Sequence, residues 1–342
     1  MTKDSLMQLK LCLLLIWLTA SSQMAIAQQD IRFSQYVFNG LSVNPAYAGY
    51  KEDIYVNSTY RKQWVSFPGA PETGTVAVDG LANLLGNKTV GLGAQITWDR
   101  VGPQDIVSFY ASYAYRIRLN SEDDRRLSLG LGVGLNQYSI DGNRLSPTDQ
   151  GDPNLPEGRV STIKPNANVG VYYYTPKFYA GFSAMDIFPS NIYDNAFAGK
   201  NNYDYLVTKK VPHYYLTAGY IFTLSEDFKL QPSIMFKDDL KGPTNVDNNL
   251  LLLWADRFWV GGSYRSAIKL WNKDNLQIGL EEKDAVSIMA GFYVTERLRI
   301  GYVYDFTTSQ LDNYQKGSHE ISIGFFLFNK KRAERNISPH YF

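Results

Sequence analysis

The chain has 342 residues and a formal net charge of +1, from 34 Lys plus Arg against 33 Asp plus Glu. So even a balance excludes the basic footprint of a nucleic-acid binder. Its one cysteine excludes a disulfide framework and a thiolate zinc site.

The first residues read as a targeting device. Lys3 and Lys10 make a basic start, and Leu11 to Ala20 is an apolar run too short to span a bilayer as a helix. Ala25-Ile26-Ala27 is a small-x-small cleavage site before Gln28, so residues 1–27 are expected to be a secretory signal peptide. Cys12 lies inside it, near the start of the apolar run and not at the cleavage point, which argues against a lipoprotein and leaves the mature chain without a thiol. Residues 28–53 do not alternate in polarity and are punctuated by Pro45 and Gly49. They are expected to form an ordered lead-in on the periplasmic side, either below a barrel or entering it.

From Ile54 the pattern changes to period two. In Leu127, Leu129, Leu131, Val133 and Leu135 the apolar residues alternate with Ser128, Gly130, Gly132, Gly134 and Asn136. Val90, Leu92, Ala94, Ile96 and Trp98 repeat this against Gly91, Gly93, Gln95, Thr97 and Asp99. Such segments suit strands with one face on lipid and one on a polar lumen. The spacing predicts strands over 54–65, 73–81, 90–98, 105–119, 126–140, 165–175, 178–187, 212–224, 228–237, 245–254, 257–266, 284–294, 298–306 and 318–328. Pro232 and the sparse 73–81 are the weak points.

That makes an all-β, antiparallel, up-and-down transmembrane β-barrel over 54–328, of about 14 strands. The 25 Tyr, 18 Phe and 6 Trp suit strands and interfacial girdles. Mean hydropathy is negative, against a helical membrane protein but not against a barrel with a wet interior. The links sort by length. Those after even-numbered strands, such as 175–177, 255–257 and 295–297, are tight; those after odd-numbered strands, such as 141–164, 188–211 and 267–283, are long. Outer-membrane barrels have short periplasmic turns and long outer loops, which predicts both termini in the periplasm. Residues 329–342, with Lys330, Lys331, Arg332 and Arg335, read as a solvated periplasmic tail.

No catalytic constellation, cofactor motif or metal site is found. Gly130-Leu131-Gly132-Val133-Gly134 lies on a strand face with no following helix, so it is no phosphate loop. His213, His319 and His340 are far apart, and the pairs Asp123-Asp124 and Asp238-Asp239 fall in turns. Asp149 and Asp152 around Gly151 are a weak Ca²⁺ signal.

More specific are Phe33-Ser34-Gln35-Tyr36, Asn39 and Asn44-Pro45-Ala46-Tyr47-Ala48-Gly49, followed by Arg61-Lys62-Gln63-Trp64 and Gly69-Ala70-Pro71 with Thr73. Later come Val90-Gly91-Leu92-Gly93, Trp259-Val260-Gly261, Tyr264-Arg265, Tyr304-Asp305 and Gly317-Ser318-His319-Glu320. Across the whole mature chain this resembles the PorP/SprF family. The resemblance implies a non-enzymatic barrel in the outer membrane of a Gram-negative bacterium, part of type IX secretion and gliding. It implies as partners a secreted client, such as an adhesin, with a C-terminal sorting domain, and a periplasmic peptidoglycan-binding lipoprotein.

The candidate partner-binding residues are Asn44, Pro45 and Tyr47 in the lead-in, and Tyr193, Phe197, Tyr203, Tyr205 and Trp271 in the long loops. The rival reading is a passive porin. Arg61, Arg265 and Arg299 are candidates to face inward, but no constriction ring can be assembled from them.

Overall fold

The structure, a computed structural model, describes residues 31–327 apart from 32, 83–87, 146–155, 157, 193–207, 272 and 274–282. The expected signal peptide, the tail, His340, Asp149, Asp152, Tyr193, Phe197, Tyr203 and Tyr205 lie outside the described residues.

Fourteen antiparallel strands close into a barrel. They are β1 (Tyr55–Lys62), β2 (Glu72–Leu81), β3 (Val90–Val101), β4 (Gln104–Arg118), β5 (Arg126–Asp141), β6 (Arg159–Tyr174) and β7 (Phe178–Met185). Then come β8 (His213–Tyr220), β9 (Phe228–Asp238), β10 (Thr244–Trp254), β11 (Phe258–Ile268), β12 (Lys283–Tyr293), β13 (Leu298–Thr307) and β14 (Ser318–Phe326). Each strand pairs with its sequence neighbour, and β1 pairs with β14 from Tyr55↔Phe326 to Lys62↔His319. Closure leaves no unpaired sheet edge to face lipid, where a bare N–H or C=O finds no partner. Two short strands, Ser190–Ile192 and Thr208–Lys210, pair with each other outside the barrel ladder, and Ile192 packs on Tyr138 and Ile140 of β5.

The faces follow the alternation. On β5, Leu129, Leu131, Val133 and Leu135 are exposed on the outside, while Ser128 and Asn136 are buried within. On β14, Ile321, Ile323 and Phe325 point out and Glu320 and Ser322 point in.

Two prolines sit where a missing N–H is harmless. β6 begins at Arg159, earlier than the predicted 165, and runs through Pro165. Its pairing with β7 starts only at Val169↔Ala184, so Pro165 lies where the β7 side of β6 has no ladder to interrupt. Pro232 stays within β9, one residue past the last β8 partner, Ser233↔Gly219. The wall is uneven in height. β5 and β6 have 16 residues each, β7 and β8 only 8.

The sorting of links holds only in part. Among the long loops, Gly102 and Pro103 make a tight turn and 239–243 is shorter than the links 119–125 and 221–227 among the short turns, where residues 82–89 also make a longer link.

The lumen is filled by the chain's own lead-in. Residues 33–53 run inside the barrel through three short 3-10 turns, Tyr36–Phe38, Gly40–Ser42 and Pro45–Tyr47. All of them are buried except Ser42 and Val43, which are half-buried.

Candidate functional site: a plugged lumen and the vestibule above it

Ser34 is the upper anchor of this plug. Its backbone N–H donates to Glu320 Oε2 at 2.7 Å, and the N–H of Gln35 donates to Glu320 Oε1 at 2.9 Å. The Ser34 hydroxyl donates to Asp305 at 2.9 Å and accepts from Arg61 Nη1 at 2.8 Å and Arg265 Nη2 at 3.2 Å. Arg61 also bridges Glu320 at 3.0 Å and Asp305, while Arg265 pairs with Asp247. All of these side chains are nearly inaccessible to solvent. Buried charges are tolerable only when paired and hydrogen-bonded, and here the plug's own backbone completes the pairing.

Below, the plug packs by shape. Phe38 lies against Trp259, with ring centroids 4.6 Å apart, and the Arg299 guanidinium sits 4.2 Å from the Phe38 ring centre. Tyr47 and Tyr50 join Tyr172, Tyr174 and Tyr179 in one aromatic cluster. Wall glycines let the backbones touch. A Cβ on Gly130 would stand 2.1 Å from Ala46 N, and one on Gly91 would stand 1.9 Å from Ala48 O. The plug leaves the lumen at Glu52, which pairs with Lys88 at 2.7 Å and with Arg116 at 3.6 Å.

Above the plug, at the long-loop end, a vestibule opens to solvent. Phe33, Tyr36 and Val43 of the plug make its floor, and Tyr110, Asp186 and Tyr215 are among its walls. Asp186 accepts from the Tyr110 hydroxyl and from Asn136 Nδ2 at 3.0 Å, and it pairs with Lys210 at 3.4 Å. Among the described residues no group of three or more His, Cys, Asp or Glu is placed to hold a metal ion.

The candidate lead-in residues lie inside the lumen. Asn44 caps the Pro45–Tyr47 turn by accepting from Ala46 N at 2.9 Å, and its amide donates to Val171 O at 3.1 Å and Phe182 O at 3.3 Å. It thus fastens the plug to β6 and β7. Pro45 and Tyr47 are buried against the wall and turn no surface outward. Trp271 is exposed at the rim, with Lys273 Nζ 5.0 Å from its ring centre. Arg61, Arg265 and Arg299 do face inward, but they hold the plug and do not form an open ring. Ser34, Asp247, Asp305 and Glu320 were not singled out as site residues. Ser34, Asp305 and Glu320 do fall in Phe33-Ser34-Gln35-Tyr36, Tyr304-Asp305 and His319-Glu320, among the runs that carry the family resemblance, whereas Asp247 falls in none of them.

A family model described as "Type IX secretion system membrane protein PorP/SprF" matches residues 25–325. No curated protein matches the sequence. Among solved structures, the Ralstonia pickettii toluene transporter TbuX is 10% identical, with 84% of this chain and 93% of that one covered and a TM-score of 0.51. A Pseudomonas aeruginosa FadL homologue is 12% identical over 89% of this chain and 96% of that one, with a TM-score of 0.45. The Acinetobacter baumannii outer membrane protein Omp33 is 7% identical over 81% and 98%, with a TM-score of 0.44. At these identities the TbuX likeness bears on the fold alone, and the other two carry no argument.

Proposed function

The chain belongs to the PorP/SprF family of type IX secretion system membrane proteins, and on that premise we propose that it is a plugged outer-membrane barrel that holds a secreted surface protein at its long-loop end. The client is a protein such as an adhesin with a C-terminal sorting domain, and the barrel anchors it or assists its export. The long loops and vestibule face outward, and a peptidoglycan-binding lipoprotein contacts the short-turn face. The observation that supports this reading is the occluded lumen. Residues 33–53 are packed across it through buried ion pairs and a tyrosine cluster. A segment bound that firmly is a permanent part of the molecule, so the recognition surface is the mouth and not a conduit.

The rival is a passive channel for small solutes. In planar bilayers the plugged protein is expected to give no large, steady conductance. Tagged protein purified from detergent-solubilised envelopes is expected to carry a secreted client with it. A steady open pore with no captured protein would sink the reading. Deleting 189–210 is expected to leave a heat-modifiable, inserted barrel that no longer retains its client; retention by that variant would move the client site elsewhere.

A further inference from the structure

The direction in which the plug runs has a consequence for the protein's topology. Ser34 lies among Arg61, next to last in β1, Asp305, near the end of β13, and Glu320, near the start of β14. Those strand ends feed the links 63–71 and 308–317, on the long-loop side. One residue on, Gln35 accepts from Ser322 Oγ at 2.7 Å, one inward-facing position further down β14. Phe38 has already reached Arg299 and Trp259, the second residues of β13 and β11, at the short-turn side. Tyr50 packs on Tyr174, the last residue of β6, and the chain enters β1 at Tyr55 from that same side. In the other direction, Ile31 O accepts from Lys237 Nζ at 3.5 Å, near the long-loop end of β9, and Ile31 lines the vestibule.

We infer that the chain threads its own barrel from the long-loop mouth to the short-turn end, so that its amino-terminal side is presented on the same face as the long loops. The carboxyl end of β14 lies on the opposite face, so the two ends of the barrel chain are separated by the membrane. A protein arriving at the long-loop mouth meets Ile31 and Phe33, which line the vestibule, as part of the surface it recognises. The inference uses the reading above only to call that face the outer one.

The chain's only cysteine is Cys12, so a Cys12→Ala background gives clean single-site labelling. Into it go Ile31→Cys and Ser42→Cys on the vestibule side, Asn313→Cys on the β13–β14 loop and Lys177→Cys in the β6–β7 turn. The probe is a small, charged, membrane-impermeant methanethiosulfonate, applied to intact cells and again after the envelope is permeabilised, and heat-modifiability verifies that each variant is folded. Ile31→Cys and Ser42→Cys are expected to react in intact cells whenever Asn313→Cys does, with Lys177→Cys reacting only after permeabilisation. Reaction of both with Lys177→Cys in place of Asn313→Cys overturns the inference, as does no reaction at either while Asn313→Cys reacts. If Asn313→Cys is protected and Lys177→Cys is open, the outward placement of the long loops fails. The inference still stands in that case provided Ile31→Cys and Ser42→Cys follow Asn313→Cys.

Discussion

Ser34 and Glu320 are 286 positions apart in the sequence, yet the backbone N–H of Ser34 donates to the Glu320 carboxylate at 2.7 Å. Glu320 belongs to the last strand, and Arg61, which bonds to both residues, belongs to the first. The plug therefore sits on the seam where the barrel closes. Closing the β1–β14 pair and seating the lead-in share one set of buried charges, so each supports the other.

Arg61→Ala leaves Asp305 and Glu320 buried without their shared cation. Breaking a buried ion pair by removing one partner costs about 3–5 kcal/mol. The loss is expected in denaturant unfolding of the detergent-solubilised barrel, with Arg61→Lys intermediate because an ammonium cannot reproduce the planar fork. An Arg61→Ala barrel as stable as the parent would mean that the seam does not depend on this cluster.

Gly130→Val tests the plug's fit. The added side chain would occupy the space of Ala46, since even a Cβ stands 2.1 Å from Ala46 N. The expected result is a displaced plug, seen as new conductance in planar bilayers and new protease cleavage within 33–53. Gly242→Ala, whose Cβ would meet nothing nearer than Asp239 at 3.5 Å, should change neither.

Asn44→Ala removes a turn cap and two bonds to the wall. Loss of an N-cap costs about 0.5–2 kcal/mol, and the two lost bonds to Val171 O and Phe182 O add to it. Asn44→Asp keeps the acceptor for Ala46 N and loses both donors, so it should not rescue. Restored stability in Asn44→Asp would show that the cap alone matters.

Leu131→Arg places a charge on the lipid face, where Leu131 is 48% exposed. At the bilayer midplane this costs about 2–4 kcal/mol. Gly132→Ser, on the inner face, should cost less, because its Cβ would meet Asn168 Cβ at 3.2 Å and needs only a small adjustment. Unfolding measurements giving equal losses would contradict the assignment of faces.

Much of the site was legible as fragments. Arg61, Arg265 and Arg299 are candidates to face inward, and Asn44 and Tyr47 stand out in the lead-in. What was not legible was that they meet. Arg61 finds Asp305, Glu320 and Ser34 only because β13, β14 and β1 are neighbours in a closed ring. Whether Asn44 lies below the barrel or within it is open until Val171 and Phe182 are brought to its amide.

The sequence by itself determined that the chain is a run of about fourteen alternating strands and which of their side chains face lipid. Both are local properties, since period-two alternation over about ten residues needs no knowledge of the rest of the chain. Only the tertiary structure decided what fills the lumen and which way it runs. Residues 33–53 carry no period, and their path is set by bonds to side chains hundreds of positions away, which exist as a site only once the ring has closed.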